Sequence, residues 1–299
     1  ERLGRAERVD AAIDRYVEYC KGKFDLDFEL DNLKIVIDCA NGAGYKVGPS
    51  VFRELGADVI AINVRPDGTN INAQCGSLYP EFLRDRVLAH HADLGFALDG
   101  DGDRLTIVTK KGRILNGDDI LYLLAKYCTS PGMGVVGTIM SNNALEKSFS
   151  EIGIPFAKTS VGDHHVVDAL VKNGWMIGAE PSGHVLQLDK NTCSDGILSA
   201  LSVISIMYRL DKDLDELMKG FNKMPSRLVN LECSTVDLNQ FEKDFEDLRN
   251  HLGPFGKLLV RKSGTEAVVR VLVESESMSD VERVSRTVTE MINPNAYAT

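Results

Sequence analysis

Three aspartates at alternate positions, Asp99, Asp101 and Asp103, stand inside the otherwise apolar segment ALDGDGDRLTIV (97–108), separated by glycines and followed at once by Arg104. Three carboxylates on five residues repel one another unless a cation lies between them, and hard oxygen donors of this kind suit Mg2+ or Ca2+. An EF-hand opens on a similar run but needs glycine at its sixth place and a carboxylate at its twelfth. Those places hold Arg104 and Lys110, which fits that loop poorly. A solvated acidic turn is the alternative, and the glycines and apolar flanks favour a cation site at a buried strand edge.

Other segments carry chemistry of different kinds. LVRKSGTEAVVRV (259–271) gathers Arg261, Ser263, Gly264, Thr265 and Arg270: two guanidinium groups and two hydroxyls around a turn able to aim backbone N–H groups at one point. That combination holds phosphates, although a β-hairpin turn with surface arginines uses the same residues. GAEPSGHVLQL (178–188) brings Glu180, Ser182 and His184 close together. A carboxylate and a hydroxyl can bond sugar hydroxyls, and an imidazole can bond substrate or move protons; a structural turn explains the stretch nearly as well. PDGTNINAQCGS (66–77) reads only as loop. In TSVGDHHVVDAL (159–170), His164 and His165 open a helix. Adjacent helical residues point in different directions, so a shared metal is not expected.

These segments need elements to position them. LKIVIDC (33–39), DVIAINV (58–64) and ADLGFALD (92–99) read as strands, with helices over 50–57 and 79–91 between them. The pattern then repeats, with helices at 118–128, 142–152 and 163–173 alternating with strands in GVVGTIM, IPFAKT and WMIGAE, before a long helix over 195–210. The expected architecture is two consecutive α/β domains with mixed, mostly parallel sheets, over 1–112 and 113–223. A small α+β domain with a mostly antiparallel sheet and an amphipathic helix at 279–292 follows over 224–299. A further helix is expected in the first 25 or so residues.

With 34 basic and 44 acidic residues the net charge is −10, which gives no support for nucleic acid as a partner. No apolar run approaches the roughly 20 residues of a membrane span, and no signal-peptide pattern is present. The six cysteines are scattered without metal-ligand spacing, so reduced thiols and a cytoplasmic setting are expected.

DGDGDR, then EPSGH, then RKSGTEAVVR, in that order over nearly the whole chain, resembles the α-D-phosphohexomutase superfamily. The resemblance implies three α/β domains and an α+β fourth around a cleft. It implies that Asp99, Asp101 and Asp103 bind Mg2+ and that Arg104 lies beside a phosphorylated serine. Glu180 and Ser182 would contact sugar hydroxyls, and His184 would lie near the reacting oxygens. Arg261, Ser263, Gly264, Thr265 and Arg270 would clamp the phosphate not being transferred. CANGAG, VGTIMSN, GIPFAKTSVGD and PDGTNINAQCGS are most similar to the bacterial branch acting on glucosamine phosphates. Interconversion of glucosamine 6-phosphate and glucosamine 1-phosphate, on the way to UDP-N-acetylglucosamine and cell-wall precursors, is what that implies. The expected partner is a hexosamine phosphate, with homodimerisation left open.

The superfamily's nucleophilic serine lies in a TASHNP-like loop, and none occurs in these 299 residues; Ser141, Ser182 and Ser263 stand in other contexts. The chain is therefore expected to represent domains two to four of a longer protein, to bind Mg2+ and weakly a sugar phosphate, and to show no turnover alone. His164 stands where relatives usually carry Arg or Lys, and Pro181 is a further variation. Phosphomannomutase or phosphoglucomutase activity, and a non-catalytic sugar-phosphate- or Ca2+-binding module, are the alternatives.

Overall fold

The computed structural model describes Gly4, Val9 and residues 11–23, 29–232, 236–262 and 267–293. These form two compact units: Glu1–Ser141 with Ile154–Gly220, and Asn142–Gly153 with Phe221–Thr299.

The first unit begins with α1 (Ala12–Gly22), which lies within the helix expected for the opening residues. Its first sheet contains β1 (Lys34–Asp38), β2 (Asp58–Ile62), β3 (Leu94–Leu98), β4 (Leu105–Thr109) and β5 (Ile114–Leu115), in the order β2-β1-β3-β4-β5. β1 runs parallel to β2 and β3, whereas β4 returns antiparallel to β3 and β5 antiparallel to β4. Helices α2 (Val47–Glu54) and α3 (Pro80–Ala89) are the crossovers. Leu83 and Val87 of α3 pack on Val36, Ala97 and Val108, while Phe52 of α2 stacks on Phe96 at 5.4 Å. Phe96 and Ala97 are neighbours in one strand and so face opposite sides, which is why β3 is buried throughout and reads as an unbroken apolar run. α2 starts three residues before the expected helix, since Pro49 is tolerated in a first turn.

After α4 (Gly117–Cys128) and β6 (Val135–Thr138), the chain enters the second unit as α5 (Ala144–Ile152) and returns as β7 (Phe156–Thr159). Then come α6 (Asp163–Asn173), β8 (Ile177–Ala179), β9 (Val185–Gln187), α7 (Gly196–Leu210) and the short α8 (Leu214–Leu217). The second sheet is ordered β7-β6-β8-β9, with β6 parallel to β7 and β8, and β9 antiparallel to β8. α7 is buried on nearly every side, and its apolar residues surround the helix instead of forming a stripe.

In the second unit, β10 (Ser226–Glu232), β11 (Lys257–Lys262) and β12 (Val268–Glu274) form an antiparallel sheet ordered β10-β12-β11. Helix α9 (Glu242–His251) lies between β10 and β11 in the chain. Val281, Val284, Val288 and Ile292 share one face of α10 (Met278–Ile292) and join Val269, Val271, Val273 and Phe245 in one apolar cluster. The Asn142 side chain pairs with the backbone of Met224 through both its amide groups, at 2.9 and 3.1 Å, and so ties the start of α5 to this unit. The mixed, parallel-rich α/β part and the small antiparallel C-terminal part agree with the fold class read from the sequence. No helix among the described residues is long and apolar enough to cross a membrane.

Candidate functional site

Residues 99–104 are the hairpin loop between β3 and β4, placed at the carboxyl end of β1 and β3. Parallel sheets bind ligands at that end. Asp99 is buried, Asp103 half-buried and Asp101 exposed, with carboxylate oxygens of all three within 4.8 Å of one another. Asp99 accepts the Arg104 backbone N–H at 3.2 Å and faces Arg104 Nε at 3.4 Å. Asp103 Oδ1 is buried without a hydrogen-bond partner. Burial pushes the Asp103 carboxyl up, His184 opposes that rise, and the charges of Asp99 and Asp101 add to it. An orphaned carboxylate oxygen facing two like charges is what a hard divalent cation would satisfy, so the residues fit Mg2+.

The walls of this loop explain the glycines and give PDGTNINAQCGS a place. Gly100 O accepts from Ala43 N at 2.8 Å, and a Cβ on Gly42 would meet the Gly100 backbone. On its other side Gly100 faces Ile71 and Asn72. Asp38, fully buried at the end of β1, accepts from Ala40 N at 2.9 Å and Gly76 N at 3.0 Å and so pins both neighbouring loops. Sequence reasoning took Asp38 as part of a strand; only its position at a parallel strand's carboxyl end hints at more.

Glu180, Ser182 and His184 occupy the turn between β8 and β9, and the structure brings this turn to the cation loop. Arg104 and His184 form an antiparallel bridge, and Leu105 N donates to Gly183 O at 3.0 Å. His184 Nδ1 lies 2.9 Å from Glu180 Oε2, while Nε2 faces both Asp103 Oδ2 at 3.2 Å and Arg104 Nε at 3.1 Å. A neutral ring protonated at Nδ1 donates to Glu180 and accepts from Arg104; the imidazolium donates to Glu180 and Asp103. Ser182 is exposed, with Oγ 3.5 Å from His184 Nδ1. Glu180 Oε1 also accepts from Gly162 N at 2.9 Å, tying in the start of α6. There His164 and His165 are exposed, but their rings lie 4.0 Å apart at 40°. They therefore do not diverge as expected: helical turn geometry separates the Cβ directions, and the side chains fold back together.

The hydrogen bond with Glu180 raises the His184 pKa against the opposing effect of burial, and the same bond lowers that of Glu180. The stability due to the imidazolium is full below its ordinary value of 6.5 and is lost as pH rises through its higher folded value. That due to the Glu180 carboxylate is present above 4.5 and is lost as pH falls through its lower folded value. In chelator, the urea midpoint of the native chain should therefore exceed that of His184→Gln most between pH 4.5 and 6.5. The gap should narrow toward pH 8.5, roughly two units above the ordinary histidine value. A gap independent of pH would contradict this pairing.

In the second unit Arg261 of β11 stands directly opposite Arg270 of β12. Two guanidinium groups on one face of a cross-strand pair form a local positive field suited to a phosphate. Ser263, Gly264 and Thr265 lie outside the described residues.

Family models for phosphoglucomutase/phosphomannomutase match along the chain: alpha/beta/alpha domain II over residues 14–112, alpha/beta/alpha domain III over 116–224, and the C-terminal domain over 224–291. The phosphoglucosamine mutase of Acinetobacter baumannii is 46% identical over 298 residues, covering 98% of this chain and 67% of the relative. The chain belongs to the phosphohexomutase family. The phosphoglucosamine mutase of Psychrobacter cryohalolentis is 48% identical over 279 residues, covering 92% of this chain and 61% of that relative. The chain thus spans about two thirds of the length of the curated relatives it matches. Among solved members of the family, a phosphoglucomutase/phosphomannomutase family protein from Burkholderia thailandensis superposes with a TM-score of 0.77 at 27% identity, over 97% of this chain and 66% of that one. N-acetylphosphoglucosamine mutase from Aspergillus fumigatus, crystallised with GlcNAc-6P and magnesium, gives 0.73 at 22% identity over 92% of this chain and 69% of that one, a likeness of fold.

Proposed function

We propose that the chain is the cation-, sugar- and phosphate-binding part of a phosphoglucosamine mutase, which interconverts glucosamine 6-phosphate and glucosamine 1-phosphate. The observation that carries this reading is the meeting of the 99–104 loop with Glu180 and His184, in a chain 46% identical to curated phosphoglucosamine mutases. Asp99, Asp101 and Asp103 would hold Mg2+, which when bound neutralises charge on the phosphoryl group in transfer. Arg104 offers its guanidinium beside that loop to the serine-borne phosphate. Glu180 and Ser182 accept from and donate to sugar hydroxyls. His184, with its protonation coupled to Glu180 and Asp103, sits where it can give a proton to a sugar oxygen or take one from it.

Arg261 and Arg270, with Ser263, Gly264 and Thr265, clamp the phosphate that is not moving. A clamp indifferent to which end of the sugar it holds lets a bisphosphate turn end for end between two transfers. The division 1–112, 113–223 and 224–299 and a cytoplasmic setting belong to the same reading. Cys20, Cys39, Cys75, Cys128 and Cys193 are all unpaired, in keeping with that setting.

The transfer needs a phosphoserine that these residues do not supply, so the 299-residue chain alone should not turn over. 31P NMR of glucosamine 6-phosphate with the chain, Mg2+ and catalytic glucose 1,6-bisphosphate should show no glucosamine 1-phosphate beyond that formed with Asp101→Ala. Turnover above that control would overturn the assignment of the nucleophile.

A further inference from the structure

The first turn of α7 abuts the cation loop, and its anchoring leads away from the site to the first helix. Gly196 N donates to Gly102 O at 2.9 Å, and Gly102 is the residue between Asp101 and Asp103. The approach is close: a Cβ on Gly196 would lie 2.6 Å from Leu98 Cδ2 and 2.7 Å from Arg104 O. Asp195 caps this helix, its Oδ1 accepting from Ile197 N and Leu198 N at 3.0 Å each. Its Oδ2 accepts from the Tyr16 hydroxyl of α1 at 2.8 Å. Burial and the Asp195 charge push the Tyr16 phenol up, so it remains a protonated donor. Tyr19, one turn on, donates to Lys190 O at 3.1 Å and so holds the segment leading into the cap.

We infer that Tyr16 and Asp195 are positioning residues for the cation loop. The phenol fixes the Asp195 carboxylate, the carboxylate fixes the first turn of α7, and that turn fixes the Gly102–Asp103 peptide plane, from which Asp103 projects and to which Asp101 is the preceding neighbour. Neither residue touches substrate or cation. The inference rests on the proposed cation role of the three aspartates and goes beyond it by assigning the control of that site to α1. Supporting groups of this kind, one step behind the ligands, commonly alter metal affinity about 10- to 100-fold. Tyr16 is one step further back, and its hydroxyl should be worth about fivefold to tenfold by the same logic.

The test is Mn2+ binding to the 299-residue chain, followed by the EPR signal of the free ion at 10 °C. The native chain, Tyr16→Phe, Asp195→Asn, their double variant and Asp101→Ala are compared, each shown folded by circular dichroism. The native chain should bind and Asp101→Ala should not. Tyr16→Phe and Asp195→Asn should each bind about fivefold to tenfold more weakly, and the double variant hardly worse than either, since the first removes and the second weakens the same chain of contacts, its amide replacing a charge-assisted bond with a neutral one. Native affinity in Tyr16→Phe, with binding lost in Asp101→Ala, would sink the inference and leave the cation site standing; a purely structural tie would lower the melting temperature and give that result. No Mn2+ binding to the native chain, or equal binding by Asp101→Ala, would sink both. Should Tyr16→Phe fail to fold, Asp195→Asn decides, because its amide oxygen still caps α7.

Discussion

Replacing Asp101 with alanine should remove most of the Mg2+-dependent part of the protein's thermal stability while leaving the metal-free fold intact or slightly firmer. Asp101 is the exposed member of the three and lies within 4.8 Å of two other carboxylates, so its removal relieves repulsion without opening a core. A ligand present at 100 times its dissociation constant stabilises the folded state by about 2.7 kcal/mol. A loss of about 100-fold in affinity would leave roughly 0.4 kcal/mol at the same Mg2+ concentration. For a unit of this size that difference is worth roughly 5–9 °C in Tm. Melting curves of both proteins in Mg2+ and in EDTA measure it directly. An unchanged Mg2+ shift in Asp101→Ala would mean that the ion, if bound, sits elsewhere.

A large effect on the fold itself should come from Gly117→Ala. Gly117 opens α4, where alanine would ordinarily gain up to about 1 kcal/mol over glycine. Here the added Cβ would meet the Glu180 carbonyl oxygen, with Glu180 C at 2.9 Å and Gly183 N at 3.2 Å. All three are backbone atoms of the turn that carries Ser182 and His184. That turn cannot swing away cheaply, because Gly183 N already donates to Glu180 O and Leu105 N to Gly183 O, each at 3.0 Å. Overpacking of this kind costs about 1–3 kcal/mol, so the clash outweighs the helix propensity. A fall in Tm of up to about 8 °C is expected, against no fall for Gly22→Ala, whose Cβ would meet nothing within 4 Å. The same shift should displace Glu180 and His184 and weaken sugar-phosphate binding.

The legible part of the protein was that in which periodicity and chemistry coincide. The buried runs of β1 and β3 and the 3–4 spacing of valines in α10 announce their elements directly. DGDGDR points to a cation because three carboxylates at alternate positions repel one another, and its glycines and apolar flanks set it at a strand edge. Less legible were the antiparallel strands β4, β5 and β9: β5 and β9 are only two and three residues long, and β4 is buried throughout, so it shows no period-two alternation. β4 in particular makes the aspartate run a hairpin loop, and so brings Arg104 beside His184, 80 residues away in the chain. Asp38, Gly117 and Tyr16 share a further reason for being missed. Each acts through a contact distant in sequence, and its type alone, an aspartate in a strand or a glycine at a helix start, fits its local element without remark. The attachment of α5 to the C-terminal unit through Asn142 is likewise a tertiary choice with no local signature.

The measurement that bears most directly on the function is the substrate preference of this chain joined to the part of the Acinetobacter baumannii relative that it does not match. Conversion of glucosamine 6-phosphate, glucose 6-phosphate and mannose 6-phosphate to the 1-phosphates would be followed by 31P NMR with Mg2+, in parallel with the Asp101→Ala form. The account predicts conversion of glucosamine 6-phosphate with kcat/KM at least about tenfold above the other two sugars, a difference of about 1.4 kcal/mol in transition-state binding, and its loss in Asp101→Ala. Faster turnover of mannose or glucose phosphate, or turnover indifferent to Asp101, would contradict it.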